Sequence, residues 1–384
     1  MLTDKSACPV LAPCADYEPA RLRDALLRAL EPLGGLDWVR PGMTVGIKLN
    51  LCAGRKPEAA ATTHPAAAAE LTRLLTERGA RVILGDSPGE PYTPAVLNRI
   101  YHTTGLSLCE EAGGILNRDF DYEEVSFPEG RSARRFMCCT WLRRCDAVIN
   151  FSKLKAHGLM GMTAAVKNLY GIIPGTYKSE YHYLHPQPMD FADMLVDLNE
   201  YLRPALCLVD AVDIMEGNGP TQGTPRHLGL LLAGRSPYEL DRLGARLLGL
   251  NEEEIPYMTA AERRGLFASR PEDYDGLAAP YRLTDFVRSG ATTGWFAIGE
   301  DDPRLRKLIK KTLFLLLRSR PAPDAGCTGC GHCARGCPAQ AIEIRGGRAV
   351  IRRSRCVYCF CCQEFCPTGA MKARRPLIAR LVMK

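Results

Sequence analysis

The chain has 384 residues, 46% apolar and 24% charged, with a formal net charge of +7. That length is too great for one compact core and suggests two or three domains, with one large α/β domain plus a small module fitting equally well, and the composition is that of an ordinary globular protein. The longest wholly apolar run, Leu313 to Leu317, falls far short of the roughly twenty residues that cross a bilayer, so an integral membrane protein is excluded. No basic stretch precedes an apolar one near the amino terminus, so no secretory signal is visible and a cytoplasmic location is expected.

In chain order, Val-, Ile- and Leu-rich strand candidates at 43–49, 81–85, 147–151, 205–210 and 228–232 alternate with amphipathic helix candidates at 20–31, 66–78, 191–202 and 238–248. Such alternation implies an α/β fold with a mainly parallel sheet flanked by helices. Thr63 is the expected cap of the second helix, with Pro65 in its first turn. Segment 303–320 reads as a basic helix, and the breaker PAPDAG at 321–326 ends it. The expected organisation is an α/β domain over 1–302, a basic helix and linker over 303–325, and a small α+β domain with a basic tail over 326–384.

The strongest chemical signal follows that boundary. Cys327, Cys330, Cys333 and Cys337 have the spacing CxxCxxCxxxCP, and Cys356, Cys359, Cys362 and Cys366 repeat it. Thiolates at three-residue steps wrap three corners of an iron–sulfur cube, and the fourth, past a turn and before proline, points to the other cube. One [4Fe-4S] cluster is therefore assigned to Cys327, Cys330, Cys333 and Cys366, and a second to Cys337, Cys356, Cys359 and Cys362. Zinc sites typically want CxxC pairs with a longer gap and lack the two terminal CP signals. Cys361 is the odd thiol, since using it in place of Cys362 breaks the repeat.

Charge divides at the same place. Residues 303–384 hold eighteen lysines and arginines against Asp324, Glu343 and Glu364, a balance of +15, while residues 1–302 carry −8. Two thiolate-bound cubes cancel roughly four positive charges. The remainder suits an acidic redox partner protein, and no nucleic acid is expected.

The cysteine-rich part resembles bacterial-type two-cluster ferredoxins over the whole of both motifs, which implies transfer of single electrons. In the longer domain, IKLN at 47–50, TTHP at 62–65, GDSP at 85–88, INFSKLKAHG at 149–158, TAAVKNLYG at 163–171, DAVDIMEGNGPTQG at 210–223 and LAGRSPYELDRLGARLLGL at 232–250 resemble, in family order, the signatures of the iron–sulfur-associated family known as domain of unknown function 362. That resemblance implies a fold, a cluster-bearing module and a site, without naming a substrate.

Loops beyond the carboxyl ends of parallel strands form the ligand crevice of such sheets. Lys48, Asn50, Thr63, His64, Asp86 and Ser87 lie at or just after strand candidates and are expected to bind substrate. His182 joins them, as do Glu216, Gly217 and Gly219 of a glycine-rich segment where a ligand can approach the backbone. That segment lacks the lysine of a P-loop and the GxGxxG pattern, so nucleotide binding is not expected. Lys153, Lys155 and His157, with Lys167 and Asn168, form the expected reactive side: the lysines stabilise developing negative charge and His157 supplies a proton. Four lysines in or near one crevice favour an anionic substrate. His182 and His185, with Asp190, form only a weak metal pattern.

The expected function is an iron–sulfur oxidoreductase that passes single electrons through two [4Fe-4S] clusters to an anionic small molecule in the α/β domain. The alternative is an electron-transfer or cofactor-assembly adaptor without substrate chemistry of its own. The enzyme is preferred because a pure carrier has no need of a large domain lined with Lys, His and Asp signatures.

Overall fold

A computed structural model describes residues 8–289, 319–374 and 376. The basic helix expected at 303–320, apart from its last two residues, and the basic tail from residue 377 lie outside the described residues. Among the described residues no helix is long and apolar enough to cross a membrane.

The strands of the α/β domain are β1 (Val10–Pro13), β2 (Thr44–Leu49), β3 (Arg81–Gly85), β4 (Ile115–Leu116), β5 (Tyr122–Ser126), β6 (Arg135–Cys139), β7 (Ala147–His157), β8 (Gly161–Thr163), β9 (Leu206–Glu216) and β10 (Thr224–Gly234). The central sheet runs β1-β10-β9-β7-β2-β3-β4, with β8 folded back on β7 and β5–β6 forming a separate hairpin. Pairings from β9 through β7, β2 and β3 to β4 are parallel, while β10 and β1 extend one edge antiparallel. The sheet is thus mostly parallel, with an antiparallel rim where a hairpin joins β9 to β10.

Alternating side chains feed two cores, as strands covered on both faces require. Val45, Ile47, Leu49, Ile149, Phe151, Leu206 and Leu208 face a layer containing helices Pro19–Leu30, Pro65–Thr76 and Pro94–Thr104. Leu154, Cys207, Val209, Leu230 and Leu232 face a second layer containing helices Pro188–Leu202 and Pro237–Leu247. The cap of Pro65–Thr76 is His64 rather than Thr63: the His64 ring Nδ1 accepts from Ala66 N at 3.3 Å. Thr63 turns inward instead, its hydroxyl accepting from Asn50 N at 2.9 Å and donating to the Phe151 carbonyl at 2.8 Å, which ties two strand ends together. β7 continues six residues past the expected end at Phe151, because its polar residues Ser152, Lys153 and Lys155 are buried and partnered.

The carboxyl-terminal module pairs β11 (Arg320–Pro323) with β14 (Met371–Arg374) and β12 (Ile342–Arg345) with β13 (Arg348–Ile351). Short helices His332–Arg335 and Cys361–Glu364 follow the cysteine turns. The duplication is visible in the backbone. Gly329 and Gly331 take left-handed φ of 66° and 78°, and Tyr358 and Phe360 take 59° and 62° at the same motif positions. Gln340 and Gly369, each three residues after a motif's last cysteine, take 47° and 66°. For tyrosine and phenylalanine this conformation costs roughly 1–2 kcal/mol each, so the wrapping of the cysteine turns is imposed against local preference.

Candidate functional site

At the carboxyl edge of the parallel strands, Lys48, Asn50, Lys155 and Asn168 form one buried network. Lys48 Nζ pairs with Asp86 Oδ1 at 2.7 Å and donates to the Leu49 carbonyl at 2.7 Å and to Asn168 Oδ1 at 3.1 Å. Asn50 Nδ2 donates to the same Asn168 oxygen at 2.9 Å, and Asn50 Oδ1 accepts from Lys155 Nζ at 2.8 Å. Asp86 also accepts from the amides of Leu51 and Ser87, each at 2.7 Å. Gly171 must be glycine here, since a Cβ would overlap the Asp86 carboxylate and the end of Lys48. Burial draws the Lys48 ammonium below the ordinary lysine range, and Asp86 opposes that shift.

A second group lies on β7 and β9, where the register sets Lys153 opposite Asp210. Lys153 Nζ meets Asp210 Oδ2 and the Tyr17 hydroxyl, each at 2.9 Å. Asp210 accepts in addition from Tyr17 at 3.0 Å and from His64 N at 2.9 Å. The Tyr17 and His64 rings stack at 3.5 Å, and burial lowers His64 to about 4. Lys153 is 1% exposed and Asp210 0%, so this ion pair faces the interior.

The third group meets the cysteine-rich module. His157 Nδ1 accepts from the amides of Leu159 and Met160, each at 3.1 Å, which places the ring proton on Nε2. That atom faces Glu364 Oε1 across a long 3.5 Å contact. Burial, then Lys167, lowers His157 to about 4, so the imidazole is neutral near pH 7. Against the effect of its own burial, His157 and Lys167 hold the Glu364 carboxyl below its usual range. Lys167 Nζ lies over the Tyr170 ring at 4.8 Å. His182 stacks on Phe191 at 4.2 Å, and His185 Nδ1 instead meets Ser132 Oγ at 3.2 Å. Among the described residues no three His, Cys, Asp or Glu side chains converge on a single metal ion.

The glycine-rich segment forms a docking loop. Gln363 Nε2 donates to Asn218 Oδ1 at 2.7 Å and to the Gly219 carbonyl at 3.4 Å, and Gln222 Nε2 donates to the Cys366 carbonyl at 3.0 Å. Gly217 has φ 76°, Glu216 bonds Arg226 and Val287 N, and a side chain at Gly219 would overlap the Ala156 carbonyl.

Within the module, Cys327, Cys330, Cys333 and Cys366 line one hollow with Ile344, Ala349 and Met371. Around Cys362 the charge-bearing neighbours are Cys359, Cys356, Cys333 and Cys337. Amides of Ala341 and Ala349 point at Cys337 Sγ and Cys327 Sγ, at 3.2 and 3.5 Å. Although burial pushes its thiol up, the Thr368 hydroxyl and the amides of Met371, Thr368 and Ala370 bring Cys366 below its usual value. Apolar walls, donated N–H groups and cysteine turns held in left-handed conformations fit cubane iron–sulfur clusters.

Between the two domains opens a cleft of about 730 Å³. Cys52, Arg55, Ser179 and Tyr183 line it from the α/β side, and Arg335, Cys337, Glu364, Phe365 and Cys366 from the module. Lys155 and His157 lie immediately behind its floor: Lys155 Nζ is 3.2 Å from Cys52 Sγ, and His157 reaches Glu364. Lys48, Asn50, Thr63, His64, Asp86, Ser87, Lys153 and Asn168 are not among the lining residues.

Several residues here carry no sequence signature. Tyr17 reaches Asp210 across 193 positions. Lys178, lowered to about 7 chiefly by burial, donates to Ser87 Oγ at 3.2 Å and to the Ile173 carbonyl. Glu364 had one available signal, as one of three acids in a strongly basic segment.

Comparison with known proteins places these features in a family. Residues 45–246 match the family described as domain of unknown function (DUF362), and residues 326–370 match a 4Fe-4S dicluster domain. A thylakoid-associated protein of Synechocystis sp. is 34% identical over 274 residues, covering 70% of this chain and 82% of that protein. An uncharacterized ferredoxin of Methanocaldococcus jannaschii is 43% identical over 44 residues, 11% of this chain and 71% of that protein. Two solved structures, a Thermotoga maritima protein and the lactate racemase apoprotein of Thermoanaerobacterium thermosaccharolyticum, align with TM-scores of 0.35 and 0.34 at 14% and 13% identity, covering 58% and 59% of this chain. The chain spans 56% of the length of each. With the signatures running along its α/β sheet and a dicluster module docked on their glycine-rich loop, the chain belongs to the DUF362 family.

Proposed function

We propose that the protein is an iron–sulfur oxidoreductase that delivers single electrons to an anionic organic molecule held in the cleft between the α/β domain and the dicluster module. The observation that carries this reading is that Cys337 and Cys366, the last cysteine of each motif, both line that cleft. Two bound clusters, held by Cys327, Cys330, Cys333 and Cys366 and by Cys337, Cys356, Cys359 and Cys362, would supply electrons one at a time.

The chain's own residues supply the rest. Arg55 and Arg335 bring positive charge from opposite walls, while Tyr183 and Phe365 offer ring surfaces. Lys155, fixed by Asn50 and by the Ala61 carbonyl at 2.5 Å, places its ammonium beneath Cys52, where it stabilises negative charge developing above it. The neutral His157 keeps its proton on Nε2 facing Glu364 and so orients the carboxylate that borders the cleft. The electron donor is an acidic redox protein, matched to the basic carboxyl-terminal part.

An electron-transfer or assembly adaptor is the second reading. It is favoured by the complete burial of Lys48 and Lys153 against Asp86 and Asp210, which fits a structural use of those signatures. Anaerobic purification followed by native mass spectrometry separates the two. A small anion retained by the parent protein and lost from Arg55→Glu and Arg335→Glu, with dithionite still reducing all three proteins, supports the oxidoreductase. Identical retention, or none in any of them alongside unchanged electron transfer between partner proteins, supports the adaptor.

A further inference from the structure

The β12–β13 hairpin has two unlike faces. On the inner one, Ile342 and Ile351 pack in the module's core, and Ile344 and Ala349 wall the hollow lined by Cys327, Cys330, Cys333 and Cys366. The Ala349 amide points at Cys327 Sγ at 3.5 Å. The turn presses on the same ligand set, since a Cβ at Gly329, between Cys327 and Cys330, would overlap the Gly347 carbonyl. Strand alternation sends Glu343, Arg345, Arg348 and Val350 to the other face.

That outer face is cationic. Arg345, Arg348 and Arg352 are exposed, and exposed Arg353 and Arg355 follow them. Against these five arginines residues 342–355 hold one acid, Glu343, and its carboxylate is shared between Arg345, at 2.7 Å, and Arg352. The register sets Arg345 directly opposite Arg348, and like charges so placed weaken a hairpin. Val350 stands among them 42% exposed. Arginine is the cation enriched in protein interfaces, where lysine is depleted, and this face carries arginine alone. The module's other side is already engaged: Gln363 bonds Asn218, Gln222 bonds the Cys366 carbonyl, and Cys361 and Cys362 are buried.

We propose that the outer face of the β12–β13 hairpin, with Arg345, Arg348 and Arg353 around Val350, is the docking surface for an acidic electron-donor protein, which it seats one strand away from the first ligand set. One electron passes from the reduced donor to an oxidised cluster, with no bond broken and no proton required. The inference rests on the acidic-donor reading above and is independent of what the cleft binds.

The probe is flavodoxin, a small acidic flavoprotein that carries one electron, titrated in its oxidised form into full-length, anaerobically prepared protein by isothermal calorimetry. Arg345→Glu with Arg353→Glu should weaken binding about tenfold at low salt, and the difference should close near 1 M salt, where screening acts within about 3 Å. Arg118→Glu with Arg263→Glu makes the same change of net charge at exposed positions of the α/β domain and should stay within about twofold of the parent, being outside the contact. Reduced flavodoxin should also reduce the first pair about tenfold more slowly in stopped flow at low salt, while reduced methyl viologen, a small cation that needs no docking face, should reduce it at the parental rate. Equal weakening in both pairs, or parental affinity in the first, overturns the proposal. Should the first pair lose iron, Arg345→Gln with Arg353→Gln, which relieves the repulsion with Arg348, carries the same test at about threefold, and parental affinity there overturns the proposal too. Flavodoxin that binds the parent without dependence on salt, or not at all, ends the acidic-donor reading and this inference with it, whereas salt-dependent binding that the arginine substitutions leave alone overturns only the placement on the hairpin.

Discussion

Replacing Lys153 by Met tests whether this signature lysine acts on a substrate or on the fold. The substitution keeps the length of the side chain and removes its charge, leaving Asp210 with the Tyr17 hydroxyl, the His64 amide and the Val212 amide as donors but no counter-ion. Breaking one side of a buried pair typically costs about 3–5 kcal/mol, and the three remaining donors put the expected loss near the lower figure. For a domain of this size each kcal/mol moves the melting temperature by roughly 2–4 °C, so Lys153→Met should melt about 6–12 °C below the parent. Adding Asp210→Asn removes the stranded carboxylate and should recover about half of the loss, a coupling within the roughly 0.5–3 kcal/mol seen for contacting residues. The assay is far-UV circular dichroism under anaerobic conditions at pH 7.5, with iron content measured on the same samples. A Lys153→Met protein that melts with the parent yet no longer delivers electrons would refute the structural reading and return Lys153 to the reactive site.

The clusters and the buried histidines give two further predictions. Anaerobically prepared protein should hold about eight iron and eight sulfide per chain, as expected for two cubes, and Cys366→Ser should perturb the cluster of the first motif because fourth ligands cross over; a perturbation confined to the cluster of Cys356, Cys359 and Cys362 would show that they do not. Burial lowers His64 and His157 to about 4 and His182 to about 3. The unfolded chain therefore binds their protons from about pH 6.5 downward while the fold refuses them, so stability present above 6.5 is lost as pH falls through 4. Asp241, raised by burial to about 7, acts in the opposite direction, its contribution being full below about pH 4 and lost as pH rises through 7. A His182→Phe variant keeps a ring against Phe191 and should flatten the acid limb of melting temperature against pH; an unchanged limb would count against this account.

The parallel core was legible because strands covered on both faces read as unbroken Val, Ile and Leu, as in TVGIKL and RVILG. Where a strand carries polar residues into the interior the signal fails: Ser152, Lys153 and Lys155 resemble a loop, and only their partners Asp210, Asn50 and the Leu208 carbonyl explain why β7 runs to His157. β1, four residues ending in proline, is too short to carry a pattern at all. The cysteine module was readable from spacing because cluster geometry acts locally. The cleft was not, because Cys52 and Tyr183 meet Arg335, Glu364 and Phe365 only once two domains have docked, and a single sequence does not encode that meeting as a pattern. The lysine and asparagine signatures announced a shared polar region, and nothing in their spacing revealed that Lys48 and Lys153 turn away from solvent toward carboxylates.

One wall of the cleft belongs to a module whose turns hold Tyr358 and Phe360 in strained conformations. Metal binding energy is folding energy in small domains of this kind, so on the two-cluster reading bound iron would hold these turns in shape. Loss of that iron would let them relax and draw Glu364, Phe365 and Cys366 away from the facing surface of Arg55 and Tyr183. On the reading proposed above, the cleft would then be lost together with the electrons delivered to it.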